Sequence, residues 1–214
     1  MTNFIPVFPL SLVVYPGQDL NLHIFEPRYK QLISECYETG KPFGIPAVVD
    51  NELKELGTLV EIVEISKVYE GGEMDIKTRG LRVFRMLELI RTIPDKLYSG
   101  AIVSYPENEL TQETRWLMEK VLAAVKELHR MLQVNKSFKK PDEALLSYDI
   151  AAHIGLTLQE EYELLGLMNE LQRQEYLKRH LTRTLPLLAE MEQLKEKIKL
   201  NGHFRNIEPF QFKI

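Results

Sequence analysis

The chain carries a single cysteine, Cys36, among its 214 residues, so no disulfide can form within it; that usage suits a reducing compartment. It has no run of about 18 apolar residues, the length a membrane-spanning helix requires. The N-terminus, Met1-Thr2-Asn3-Phe4-Ile5-Pro6, lacks both the basic start and the apolar stretch of a secretory leader, and the expected location is the cytoplasm. A basic surplus is missing as well. Against 31 Asp and Glu stand 27 Lys and Arg, a net charge of −4, whereas proteins that neutralise phosphates usually carry an excess of positive charge.

The motifs of common catalysis are absent too. There is no G-x-x-x-x-G-K-[ST] phosphate cradle: Gly40-Lys41 is followed by Pro42 and has no upstream glycine. Neither G-x-G-x-x-G nor G-x-S-x-G occurs. The five histidines, His23, His129, His153, His180 and His203, are too far apart for an H-x-x-x-H pair. No catalytic residue, metal set or cofactor is expected. Cys36 could act as a nucleophile only beside a base in an electropositive setting; its place on an apolar stripe reads as an inert buried thiol.

What is present changes character near residue 107. Before it, short apolar runs are punctuated by Pro and Gly: Ile5–Phe8, Leu12–Tyr15 ending in Pro16-Gly17, and the alternating Leu20–Ile24. The period then lengthens. Tyr29, Leu32, Ile33, Cys36 and Tyr37 fall on one helical face, with Pro27 at the start and Gly40 at the stop. Strand patterns resume over Phe43–Val49, Leu59–Val68, Met74–Thr78, Leu81–Ile90 and Leu97–Tyr105, with a hairpin at Gly71-Gly72 and a bulge or corner at Gly80. About seven short strands and one inserted helix predict a small barrel or sandwich over residues 1–107.

Residues 108–214 read as a helical domain. Leu117, Val121, Ala124, Leu128 and Met131 or Leu132 make one stripe; a second helix is expected over Asp142–His153, and Thr157-Leu158-Gln159-Glu160 is a capping box. The last helix bears an apolar seam through Leu171, Leu177, Leu181, Leu185, Leu188, Met191, Leu194 and Ile198, is interrupted by Pro186 and ends at Asn201-Gly202, before an aromatic tail over Phe204–Ile214. Leu188 and Met191 are candidate interface residues on that seam, the alternative being packing against the preceding helices. Lys136-Ser137-Phe138-Lys139-Lys140 is either a solvated loop or a nucleic-acid contact. His153 reads as a cap or surface residue, where a protonated ring would complement a helix end.

Taken in order, Ile5-Pro6-Val7-Phe8-Pro9-Leu10, Val13-Val14-Tyr15-Pro16-Gly17 and Leu20-Asn21-Leu22-His23-Ile24-Phe25-Glu26-Pro27-Arg28-Tyr29 resemble the start of the Lon protease N-terminal domain. Gly57-Thr58-Leu59-Val60-Glu61-Ile62 and Thr78-Arg79-Gly80-Leu81-Arg82-Val83 look like two of its strands, and Asp149-Ile150-Ala151-Ala152-His153-Ile154 like one of its helices. The resemblance covers about residues 4–200. It implies an α+β fold, a small PUA-like β-barrel with one inserted helix followed by a C-terminal helical bundle ending in a long helix. It further implies a free-standing form of the domain, without the ATPase and Ser-Lys peptidase that follow it in the protease. The implied role is non-catalytic capture of unfolded or degron-bearing proteins. Two alternatives are association with a full-length Lon protease as adaptor or regulator, and RNA binding of the kind some PUA-like barrels perform. The resemblance draws attention to Phe25, Glu26 and Arg28 as peptide-contacting residues, although a Glu beside Pro27 at a helix start is already explained by capping and dipole chemistry.

Overall fold

A computed structural model of the chain describes residues 2–110 and 115–203. Six strands, β1 (Thr2–Val7), β2 (Asp19–Ile24), β3 (Phe43–Val49), β4 (Glu52–Val68), β5 (Met74–Ile90) and β6 (Ser99–Ser104), precede four helices, and the helix α1 (Pro27–Thr39) is inserted between β2 and β3. The later helices are α2 (Arg115–Met131), α3 (Ser147–Ala151), α4 (Leu158–Leu165) and α5 (Glu170–His203). Strand order is β2-β5-β4-β3-β1-β6, and β5 also pairs with β6. The ring β5-β4-β3-β1-β6 therefore closes on itself, and β2 hangs outside it. This is possible because β5 is long: its Met74–Arg79 segment pairs with β2, and its Arg85–Ile90 segment pairs with β6.

The sequence predicted two strands where β5 runs unbroken through Gly80. Register explains the difference. Leu59 faces Arg82 and Val60 faces Gly80, so Leu81 is an extra residue and the glycine marks a bulge within one strand. A Cβ on Gly80 would lie 2.2 Å from the Tyr15 carbonyl oxygen, because the 15–18 turn is seated there: Gly17 N–H donates to Gly80 O (2.8 Å) and Gly80 N–H to Gln18 O (2.9 Å). Leu12–Tyr15, predicted as a strand, is not one. Side chains take part of its backbone instead, Tyr15 N–H donating to Gln18 Oε1 and the Thr58 hydroxyl donating to Val14 O. Val13, Val14 and Tyr15 are nevertheless buried and Leu12 partly so, so the segment's apolar character reported burial and not a ladder.

Among the described residues, three apolar clusters hold the fold together. Ile5, Val7, Leu59, Phe84, Ala101 and Val103 fill the barrel. Tyr29, Leu32, Ile33 and Cys36 lay α1 against Ile24, Phe43, Val60, Met74 and Ile76; Gly40, at φ +62°, ends that helix in the left-handed conformation. The largest cluster joins Tyr15, Val49, Leu56 and Val83 of the β-rich half to Val121, Val125, Ile150, Leu164, Leu177 and Leu181 of the helices. The change of secondary structure near residue 107 is thus no break in the core.

The predicted helix over Asp142–His153 is instead one 3-10 turn (Asp142–Ala144) followed by α3. Leu145 and Leu146 are extended between them, and two carboxylates start the new helix: Asp149 accepts from Leu146 N–H and Glu170 from Ser147 N–H, both at 2.9 Å. The Glu170 carboxylate is buried, as is its partner Arg173. It also accepts from Ser147 Oγ, Gln174 Nε2 and the Arg173 guanidinium, which in turn donates to Asn108 Oδ1 and to the carbonyls of Leu167 and Glu109. This network pins the segment leaving β6 to α3 and α5. The capping box at Thr157 forms as predicted, Thr157 N–H donating to Glu160 Oε2 and Glu160 N–H to Thr157 Oγ1. The α5 seam faces the core only as far as Leu188, and the described side chains from Glu190 to Lys199 are all exposed. The tail over residues 204–214 lies outside the described residues.

Candidate functional site

Among the described residues, barrel closure leaves two strand edges open beyond the ring. The ladder between β3 and β4 stops at Val60, so Glu61–Val68 pairs only with β5; β2 likewise pairs only with β5. These edges differ. In the outer half of β4 the register shifts between Ile62 and Glu64 and again between Ile65 and Lys67, and Glu61, Glu64 and Lys67 line it. Bulges and charges of this kind blunt an edge against further pairing. The β2 register runs without a break from Asp19 opposite Arg79 to Ile24 opposite Met74. It contains no proline and no lysine. Among the described residues, β2 is the regular, unblunted one of these two edges.

The junction where β2 enters α1 adds side chains to that edge. Phe25 is 60% exposed. His23 stacks near it (ring centroids 6.2 Å apart) and meets Tyr69 of the β4–β5 hairpin edge-on at 5.7 Å. Cross-strand register produces this grouping, because Asp75 sits opposite His23 on one side and opposite Lys67 on the other. Its carboxylate bonds His23 Nδ1 at 2.6 Å and accepts from Tyr69 OH at 2.7 Å. The imidazole and phenol hold the Asp75 carboxyl below the usual carboxylate range. The hairpin tip is tied to α1 by Lys30, which donates to Gly71 O at 2.9 Å.

Of the residues singled out in the sequence, Phe25, Glu26 and Arg28 come together here. Glu26 occupies the N-cap position, yet its side chain makes no capping bond; it pairs with Arg28 Nε at 2.9 Å, and the Arg28 guanidinium lies 4.5 Å from the centre of the Tyr29 ring. The side-chain capping explanation of Glu26 is thus set aside; its carboxylate is held instead in an ion pair with Arg28. Tyr29 is core, stacked on Phe8 at 3.8 Å. Leu188 and Met191 lie elsewhere, on α5, where Leu188 is half-buried against the core and Met191 is exposed. Sequence reasoning missed His23, Tyr69 and Asp75. The alternation of Leu20–Ile24 does put His23 on the polar face, but no local signal brings the hairpin beside it.

The chemistry of the other candidates is quiet. Burial pushes the Cys36 thiol up to about 11, so it is no thiolate nucleophile at neutral pH. Lys139 pairs with Asp19 at 2.7 Å and Lys140 with Asp149 at 2.8 Å, while Phe138 packs on the helical core. His153 is half-buried with Nδ1 lacking a hydrogen-bond partner, and desolvation lowers its pKa; the neutral ring is favoured, not the protonated one predicted for a helix end. Among the described residues no group of three or more His, Cys, Asp or Glu is placed to hold a metal. No described helix is long and apolar enough to cross a membrane.

The family model for the ATP-dependent protease La (LON) substrate-binding domain matches residues 5–183. The chain belongs to that family. A Lon N-terminal domain protein from Xanthomonas campestris has a similar structure: 27% identity, a TM-score of 0.59, and coverage of 82% of this chain and 96% of that one. The N-terminal domain of a Mycobacterium avium complex Lon protease shares the fold at 18% identity and TM-score 0.58, covering 84% of this chain and 98% of that chain. A LON peptidase N-terminal domain and RING finger protein from Schizosaccharomyces pombe is 30% identical over 105 residues. That match spans 40% of this chain but only 21% of the fission-yeast protein. In this LON substrate-binding domain the aromatic junction follows directly on the end of β2, with Phe25 next to Ile24 and beside His23.

Proposed function

We propose that this member of the LON substrate-binding family is a non-catalytic module that takes up an extended segment of an unfolded or degron-bearing polypeptide along the open edge of β2. The unbroken, unblunted register of β2 carries the reading. A strand added there gains backbone hydrogen bonds that do not depend on the client's sequence, and His23, Phe25 and Tyr69 offer aromatic contact at its end. Glu26 and Arg28 stand beside that end with both signs of charge, where they would act on the flanking residues of a bound segment. Family membership supports a polypeptide as the ligand.

The test is fluorescence anisotropy with a labelled, permanently unfolded carboxymethylated polypeptide. Phe25→Ala should weaken binding at least five-fold, equivalent to ~1 kcal/mol, the scale of a contact that matters in an interface. Asn21→Lys, which places a charge on the exposed face of the edge strand, should weaken it further. Neither variant should alter the melting temperature, because both side chains are exposed. Wild-type affinity in both variants, or no uptake by the wild type, would refute the proposal. Stoichiometric retention of a full-length Lon protease in place of unfolded polypeptide would favour the adaptor role instead.

A further inference from the structure

The outer part of α5 carries an apolar stripe that the rest of the described molecule does not cover. α2, the helix against which α5 packs, ends at Met131, whereas α5 continues to His203. Leu187, Met191, Leu194 and Ile198 are 56, 54, 58 and 62% exposed. Their spacings of four, three and four residues are those of a coiled-coil seam. Leu188, one position round the helix, and Met191 line a groove of about 520 Å3 that extends toward Met131 and Leu132. A solvent-bathed helical extension of this length has little stability of its own.

We propose that this stretch of α5 pairs with the same stretch of a second copy of the chain as a short antiparallel coiled coil. Charge supplies the argument for a like partner. Glu196 is paired within the helix to Lys199 at 2.8 Å, but Glu190, Lys195 and Lys197 make no ion pair among the described residues. In the antiparallel register Leu187 packs on the partner's Ile198 and Met191 on the partner's Leu194, and the two-fold axis repeats both layers. Glu190 then flanks the seam beside the partner's Lys197, again twice, and Lys195 lays its stem over the partner's Leu188. An acidic start meets a basic end, and the two helix dipoles oppose. A parallel pair would also bring Glu190 near the partner's Lys195, but it would gather Lys195, Lys197 and Lys199 of both copies at one end and align the dipoles.

Sedimentation equilibrium on the full chain tests this. Expected is a mass that doubles as concentration rises, and a return to monomer in Leu194→Glu without loss of melting temperature. Glu190→Lys should weaken the dimer, and adding Lys197→Glu should restore it. A chain that is monomeric at every concentration, its stripe covered by its own C-terminal residues or by another protein, overturns the proposal; so does a dimer that Leu194→Glu leaves intact. A charge swap that fails to restore the dimer overturns the antiparallel register. Uptake of unfolded polypeptide on β2 should be the same in Leu194→Glu as in wild type, so this inference and the proposed function can fail separately.

Discussion

Removing the Glu170 carboxylate should destabilise the protein far more than its place in the first turn of a helix suggests. The carboxylate is buried and accepts from Ser147 N–H, Ser147 Oγ, Gln174 Nε2 and Arg173. Glu170→Ala would leave the Arg173 guanidinium, whose side chain is 0% exposed, as a buried cation without a counter-charge. Breaking one side of such a pair costs about 3–5 kcal/mol. For a chain of this size each kcal/mol moves the midpoint by roughly 2–4 °C, so Tm should fall by roughly 6–20 °C. The pair itself need not be net stabilising, since burying two charges is expensive. Glu170→Leu combined with Arg173→Met should therefore be less damaging than Glu170→Ala alone. Urea unfolding followed by circular dichroism and by the fluorescence of Trp116, the only tryptophan, measures all three. A Glu170→Ala cost below about 1 kcal/mol, typical of an exposed ion pair, would refute the reasoning.

Gly80→Ala should cost at least about 1–3 kcal/mol, because its Cβ would fall 2.2 Å from Tyr15 O and displace the 15–18 turn; a urea midpoint close to wild type would contradict this. Cys36 should resist thiol reagents in the folded protein. With its thiol pushed up to about 11, roughly a thousandth is thiolate at pH 8, and labelling should appear only on unfolding. His153 should make the protein acid-sensitive. Its folded pKa is lowered by burial, with Lys136 and His129 contributing, so the unfolded chain takes up the proton first. Stability is then full above roughly pH 6.5 and declines as pH falls below it. The difference in urea midpoint between pH 7.5 and pH 5 should shrink in His153→Leu; an unchanged difference would assign the acid loss to other groups.

Helix α1 was legible in the sequence because its signals are local: an apolar period of 3.6, Pro27 at one end and Gly40 at the other. The barrel was legible as a class, from short apolar runs and turn glycines, but its strand lengths were not. Bulges at Gly80 and along β4 shift the alternation from one face to the other, so a continuous strand reads as two. Nor was the candidate edge legible, since its exposure follows from β2 meeting only β5, a pairing across about 60 residues. Phe25, Glu26 and Arg28 were singled out through family likeness; His23 and Tyr69 lie beside Phe25 only because of that long-range register. The buried Glu170–Arg173 pair looks, in sequence, like any charged pair on a solvated helix turn. Leu188 and Met191 stand on one apolar seam, and what separates their environments is the end of a different helix at Met131.

The pairing of β1 with β6 sets a clock on biosynthesis. Thr2 lies opposite Ser104 and Val7 opposite Ser99, so β1, once synthesised, waits for about 100 more residues before its main partner exists. At roughly 5–20 residues per second that delay is roughly 5–20 s. During it β1 and the far half of β5 present unpaired edges, and the hydrophobic lining of the barrel has no lid. Anything that slows elongation between β1 and β6 lengthens this exposure and should lower the yield of soluble protein without touching the stability of the finished fold.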